Sequence, residues 1–176
     1  MLNPGANHSL RPEHFLTKES LGAPLPDLIV LQLEIPQDTV LQILKTAKEA
    51  RVEVLLNPAP AVKLPDEVYD RITHLIINES EAAILAGEDV TTLEEAGWGL
   101  VMKDFIDKGA KNTVAPLNVV VTLGAKGAVY MNAGQRTGYH VEVCNSSSIH
   151  SQVLSNLGSN SFRVYRGFKT HATHLF

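Results

Sequence analysis

Thr73-His-Leu-Ile-Ile-Asn-Glu-Ser-Glu-Ala-Ala-Ile-Leu-Ala-Gly87 is the stretch on which the reading of this chain turns. His74 to Ile77 form an apolar run with strand character, and polarity changes abruptly at Asn78, Glu79, Ser80 and Glu81. A short helix is expected next, with Ala82, Ile84 and Leu85 as its apolar residues and Gly87 as its stop. In open α/β sheets, ligands bind where strands end and helices begin, and a helix N-terminus favours an anion there. Two carboxylates and an amide at that place suit a magnesium-phosphate group. The same residues are also ordinary first-turn caps. This stretch alone leaves both readings open.

Upstream, Asp27-Leu-Ile-Val-Leu-Gln-Leu-Glu34 is a nearly continuous apolar run closed by a carboxylate. Such a run predicts a strand buried on both faces, as in a parallel sheet. Pro36 opens a helix with Asp38 in its first turn and Lys45, Lys48 and Arg51 toward its end, an order that complements the helix dipole. Val40, Ile43, Leu44 and Ala47 make a stripe at i, i+3, i+4, i+7, which packs one face on the sheet. A second strand, Val52 to Leu56, leads into the stiff turn Asn57-Pro-Ala-Pro-Ala61. A helical piece near Pro65 to Asp70 then returns the chain to His74. Before Asp27 no period is sustained: Met1 to Leu10 read as a loop, and Pro12 to Ser20 as a short helix.

Downstream, Thr92 and Glu95 have the spacing of a capping box for a longer helix. Its stripe is Trp98, Val101, Met102 and Phe105, a core face, and Gly109 ends it. A strand follows at Val119 to Leu123, then Gly124-Ala-Lys-Gly127, a strand at Ala128 to Met131, and an extended piece at Gly138 to Val143. Alternating strands and helices predict a parallel α/β sheet with right-handed crossovers, and Ala128 to Val143 an added antiparallel pair. There is no internal repeat.

The 176 residues suffice for one ordinary domain. A formal charge of −4 argues against nucleic acid or an anionic membrane as main partner. No apolar run reaches the ~18 residues of a membrane span, and the N-terminus lacks the pattern of a secretory signal. Cys144 is the single cysteine, which fits a reducing compartment. The cytoplasm is the expected location, with the nucleus a second compartment.

Cys144 to Phe176 differ from everything before them: they contain no Asp, Glu or Pro, seven serines, and only Arg163, Arg166 and Lys169 as fixed charges. Three cations are too few for a nucleic-acid tail. His171 and His174 have the spacing of a metal pair but no third ligand beside them. The expectation is two segments: 1–143 as the central part of a domain, and 144–176 as an unrelated tail, either disordered or the product of a shifted frame or an unspliced intron.

Four motifs in order, Gln32-Leu-Glu34, Asn57-Pro-Ala-Pro-Ala61, Asn78-Glu-Ser-Glu81 and Thr122-Leu-Gly-Ala-Lys-Gly127, together with Gly5-Ala6-Asn7, resemble the ribokinase type of PfkB carbohydrate kinases. The resemblance covers Asn3 to Val143. It implies a three-layer α/β sandwich around a mainly parallel sheet, here incomplete at both ends. It implies transfer of the γ-phosphoryl of ATP to a sugar hydroxyl, D-ribose giving ribose 5-phosphate. Glu34 resembles the carboxylate that binds sugar hydroxyls. Asn78 and the loop Thr122, Leu123, Gly124, Ala125, Lys126 and Gly127 resemble the nucleotide site, and Glu81 the residue that holds magnesium through water. ATP and Mg2+ are the implied cofactors, with K+ or another monovalent cation beside them. Sugar and ATP are the implied partners, and members are often homodimers.

This chain departs from the family pattern in three respects. The family's sugar-binding Gly and Asp motifs lie upstream of Met1. Its catalytic Gly-Ala-Gly-Asp stretch has no counterpart in Cys144 to Phe176, so the chain alone is expected to be inactive. Val114-Ala-Pro-Leu-Asn118 also carries about four extra residues, and Pro116 cannot sit centrally in a sheet. The alternative is a non-catalytic relative that binds nucleotide or sugar, or works through a partner. A Rossmann-type binding domain is disfavoured, because no Gly-x-Gly-x-x-Gly follows a strand.

Overall fold

The computed structural model describes residues 5–132 and the backbone of 140–144. Among the described residues six strands form one sheet in the order β1 to β6: β1 Leu28–Leu31, β2 Glu53–Leu56, β3 His74–Asn78, β4 Asn118–Thr122, β5 Ala128–Asn132 and β6 His140–Cys144. β1 to β4 pair in parallel, whereas β5 and β6 add in antiparallel fashion. The helices are α1 Gln37–Ala50, α2 Glu79–Ala86, α3 Val90–Ala96 and α4 Trp98–Lys108. This is the mainly parallel α/β sheet with an antiparallel extension that the apolar runs imply.

Side chains alternate across a strand, so the core cluster reveals which face is covered. Val54, Leu56, Leu75, Ile77, Val119, Val121, Val129 and Met131 belong to that cluster, and the register aligns them on one face. The stripe of α1 packs there, with Val40, Ile43, Leu44 and Ala47 all buried, as does the α4 stripe of Trp98, Val101, Met102 and Phe105. Phe105 stacks on Tyr69, ring centroids 5.5 Å apart and planes 8° from parallel. Among the described residues the helical layer lies on this face. Leu55, Ile76, Val120 and Tyr130 fall on the other, where with His74 and Asn118 they line a shallow groove.

Several sequence expectations are corrected. Among the described residues the Asp27–Glu34 run is not a strand buried on both faces: β1 ends at Leu31, has a neighbour on one side, and leaves Val30 58% exposed. A continuous apolar run marks a strand without saying which neighbours it has. In α2 the buried residues are Ala82, Ala83 and Leu85, while Ile84 is exposed, because one helical turn of packing against β3 selects those three. Thr92 and Glu95 do not cap the long helix. They sit inside α3, whose N-cap is Asp89, and Gly97 at φ 87° separates it from α4. The Pro12–Ser20 helix is two 3-10 turns, Pro12–Phe15 and Lys18–Leu21, and another 3-10 turn occupies Gly5–Ser9 where a loop was expected. The Pro12–Phe15 turn is tied to α1 by Thr46 Oγ1, which donates to Phe15 O at 2.5 Å.

The helical piece expected near Pro65 is the 3-10 turn Asp66–Arg71. Pro116 lies outside the sheet, two residues before β4 begins, so the inserted residues do not interrupt the strand. The expected extended piece at 138–143 is β6, shifted to His140–Cys144. No described helix is long and apolar enough to cross a membrane. The tail after Cys144 lies outside the described residues.

Candidate nucleotide-binding edge

The carboxyl ends of the parallel strands gather most of the predicted site residues. Asn78 is both the last residue of β3 and the N-cap of α2. Its Oδ1 accepts from the Glu81 N–H at 2.8 Å, and Glu81 Oε2 accepts from the Asn78 N–H at 2.9 Å. Asn78 and Glu81 therefore form a reciprocal capping box, which satisfies two of the donors a helix start leaves orphaned. The capping reading describes their observed bonds. One Glu81 oxygen is held by the backbone, and the carboxylate stays at the edge where the α2 N-terminus presents its positive end.

The β3–β4 register sets Asn78 directly opposite Thr122. The start of α2 thus lies beside the start of the Thr122–Gly127 loop, an adjacency that the 43 residues between them hide in the sequence. Thr122 Oγ1 donates to Ile77 O at 3.4 Å, which ties the two strand ends further. Leu123 is buried, its N–H donating to Gly127 O at 2.8 Å, and Lys126 N–H donates to Leu123 O at 3.0 Å. Gly127 N–H donates to Gly124 O at 3.1 Å, which closes a tight turn. Gly124 sits at φ +54°, a left-handed conformation that glycine adopts without cost. Gly124, Ala125 and Lys126 form the exposed tip.

Lys126 is not a free cation. Its ammonium pairs with the Glu94 carboxylate of α3. That hydrogen bond first, then the charges of Glu94 and Glu79, holds Lys126 above the usual lysine range. Sequence reading missed Glu94, since it lies 32 positions from its partner and no local period connects them. Asn57 ties two neighbouring strand ends together. At the carboxyl end of β2, its Nδ2 donates to Ile76 O at 2.9 Å, and the Asn-Pro-Ala-Pro motif was the signal that marked it.

Glu34 stands apart. It lies three residues beyond β1 in the exposed connection to α1, not at the strand's end as expected. β1 is two strands from β3, and Leu33 N–H donates to Ala59 O at 3.0 Å, which keeps the segment before Glu34 against the connection that follows β2.

Among the described residues, no group of three His, Cys, Asp or Glu side chains is placed to hold a metal by itself. Magnesium takes few protein ligands and keeps its waters, so one accessible carboxylate beside bound phosphates is the donor set it needs. Glu81 fits that requirement.

The chain resembles known proteins in sequence and in fold. The profile of the pfkB family carbohydrate kinases matches residues 1–151. Over 132 residues the chain is 36% identical to a deoxyribokinase of Salmonella typhi, covering 74% of this chain and 40% of the other. The ribokinase structure from Thermotoga maritima superposes with a TM-score of 0.56 at 27% identity, over 82% of this chain and 42% of that one. An Arabidopsis thaliana ribokinase, solved with ribose and ATP, matches at TM-score 0.50 and 28% identity, over 68% of this chain and 35% of that one. The chain therefore spans less than half the length of these relatives.

Proposed function

The chain belongs to the pfkB family of carbohydrate kinases, and we propose that it carries the nucleotide side of a kinase that moves the γ-phosphoryl of ATP to a sugar hydroxyl. The observation that carries this reading is the pairing of Asn78 with Thr122, which sets an anion-favouring helix start beside a glycine loop. In this proposal Asn78 and Thr122 to Gly127 hold ATP, Gly124 admits the phosphates, and Glu81 holds Mg2+ through a water. When bound, the ion neutralises phosphate charge. Glu34 accepts hydroxyl protons of the sugar from its own station on the same edge. The ribose and ATP of the Arabidopsis ribokinase support this choice of ligands. D-ribose is the proposed substrate. The deoxyribokinase relative makes deoxyribose the first competitor to test.

The 176 residues contain no Gly-Ala-Gly-Asp stretch, and phosphoryl transfer depends on such positioned groups. The chain by itself is proposed to bind nucleotide without turning over sugar. That absence equally favours a second reading, a non-catalytic relative that binds ATP or sugar for a partner. Calorimetric titration with Mg-ATP, followed by an assay of ribose- and deoxyribose-dependent ADP formation, tests both. Binding without turnover is the expected result for the chain alone, and a version completed from a full-length relative separates the two readings by its activity. A chain that binds no nucleotide overturns the proposal.

A further inference from the structure

The ion pair between Lys126 and Glu94 joins the tip of the glycine loop to α3. Lys126 is the loop's only cation, and its ammonium is already claimed. Glu79, the first residue of α2, adds a second carboxylate to its surroundings. Both partners of the pair are about half exposed or more, with 63% of the Lys126 and 48% of the Glu94 side chain accessible. Pairs of that kind are weak and exchange readily with solvent. A phosphate group offers the same ammonium a charge at least as large, together with the N-terminus of α2 beside it.

We propose that Glu94 is a positioning residue that holds Lys126 in the nucleotide-free chain and yields it to a polyphosphate on binding. Glu94 then acts as an internal competitor whose release is part of every binding event. It lowers the loop's affinity for anions and raises the selectivity of Lys126 for ligands charged enough to displace it. This inference rests on the reading that Thr122 to Gly127 bind nucleotide, and it goes beyond that reading in assigning a role to α3.

A fluorescent ATP analogue titrated into the full chain at low and high salt tests the proposal, with thermal melts as a check on folding. Glu94→Gln is expected to tighten binding about two- to five-fold at low salt, the range an exposed pair spans. The gain should shrink as salt rises. In a Lys126→Met background the same substitution should have no effect, and Glu94→Asp should restore much of the original affinity. Unchanged or weakened binding by a well-folded Glu94→Gln chain overturns the latch while leaving the nucleotide reading intact. A gain of equal size without Lys126 also overturns it. If the unaltered chain and all variants bind no analogue, the nucleotide reading fails and the latch fails with it.

Discussion

Asn78 and Glu81 cap each other, each side chain accepting the other's backbone N–H at the first turn of α2. The pair makes the helix start before any ligand arrives. Asn78→Ala should cost about 1 kcal/mol of stability, while Asn78→Asp, an equally good cap, should retain most of it. Urea unfolding of the three chains measures this. Because Asp adds a negative charge beside the proposed phosphate site, it should also weaken ATP binding. A variant that keeps stability but loses affinity separates the two roles of this residue.

His74 is buried on the groove face of the sheet, its Nδ1 2.9 Å from Thr73 Oγ1. Burial pushes its imidazole down to about 4. Glu53 lies 3.9 Å away, and burial, helped by the charge of Asp27, pushes that carboxyl up. The two shifts agree that this is no ion pair at neutral pH. The unfolded chain protonates His74 near pH 6.5, whereas the folded chain resists until about 4. Stability from this residue is full above pH 6.5 and is lost as pH falls toward 4, to the extent of roughly 2–3 kcal/mol. Glu53, with its raised value, opposes the trend. The difference between the unaltered chain and His74→Gln in urea melts from pH 7.5 to 4 isolates the histidine. A constant difference across that range would contradict the assignment.

Phe105 is fully buried and stacks on Tyr69, and Lys108 Nζ stands 5.5 Å from the Tyr69 ring centre. This cluster fastens α4 to the 3-10 turn at Asp66–Arg71. Phe105→Ala should destabilise the chain by about 3–5 kcal/mol, a large share of a domain's usual margin. Phe105→Leu should cost less than half as much. Near-ultraviolet dichroism and denaturant melts report both.

Gly109, after α4, has an ordinary φ of −84° and is needed for space. A Cβ there would meet Tyr69 O and Leu117 Cδ2, each at 3.0 Å. Tyr69 O is backbone and cannot step aside cheaply. Gly109→Ala should therefore destabilise by about 1–2 kcal/mol, although an open helix end would gain from the same change. A stabilised variant in thermal melts would contradict the close approach of Gly109 to Tyr69 and Leu117.

Local patterns carried a large part of this fold. The α1 stripe was legible because a period of 3.6 states which residues share a face, and burial followed it at Val40, Ile43, Leu44 and Ala47. Asn-x-x-Glu was legible as a cap for the same reason, its bonds spanning one turn. The fate of Val30 was not. Its run resembles a strand covered on both faces, and only the tertiary structure puts it with Leu55 on the face opposite the helical layer of the described residues. Glu94 was hidden too, since its partner Lys126 lies 32 positions away and only the folded chain brings the two together.

Thr73 to Gly87 shows where the division lies. Its residues alone determined a strand, a capped turn and a helix, because hydrogen bonds and side-chain periods within a few residues suffice for each. They left two readings of Asn78 and Glu81 open. Register decided which loop stands next to them: the ladder from His74↔Asn118 to Asn78↔Thr122 is a contact between distant segments, set by burying one face of both strands. Such pairings depend on the free energy of the assembled sheet, to which no single stretch has access.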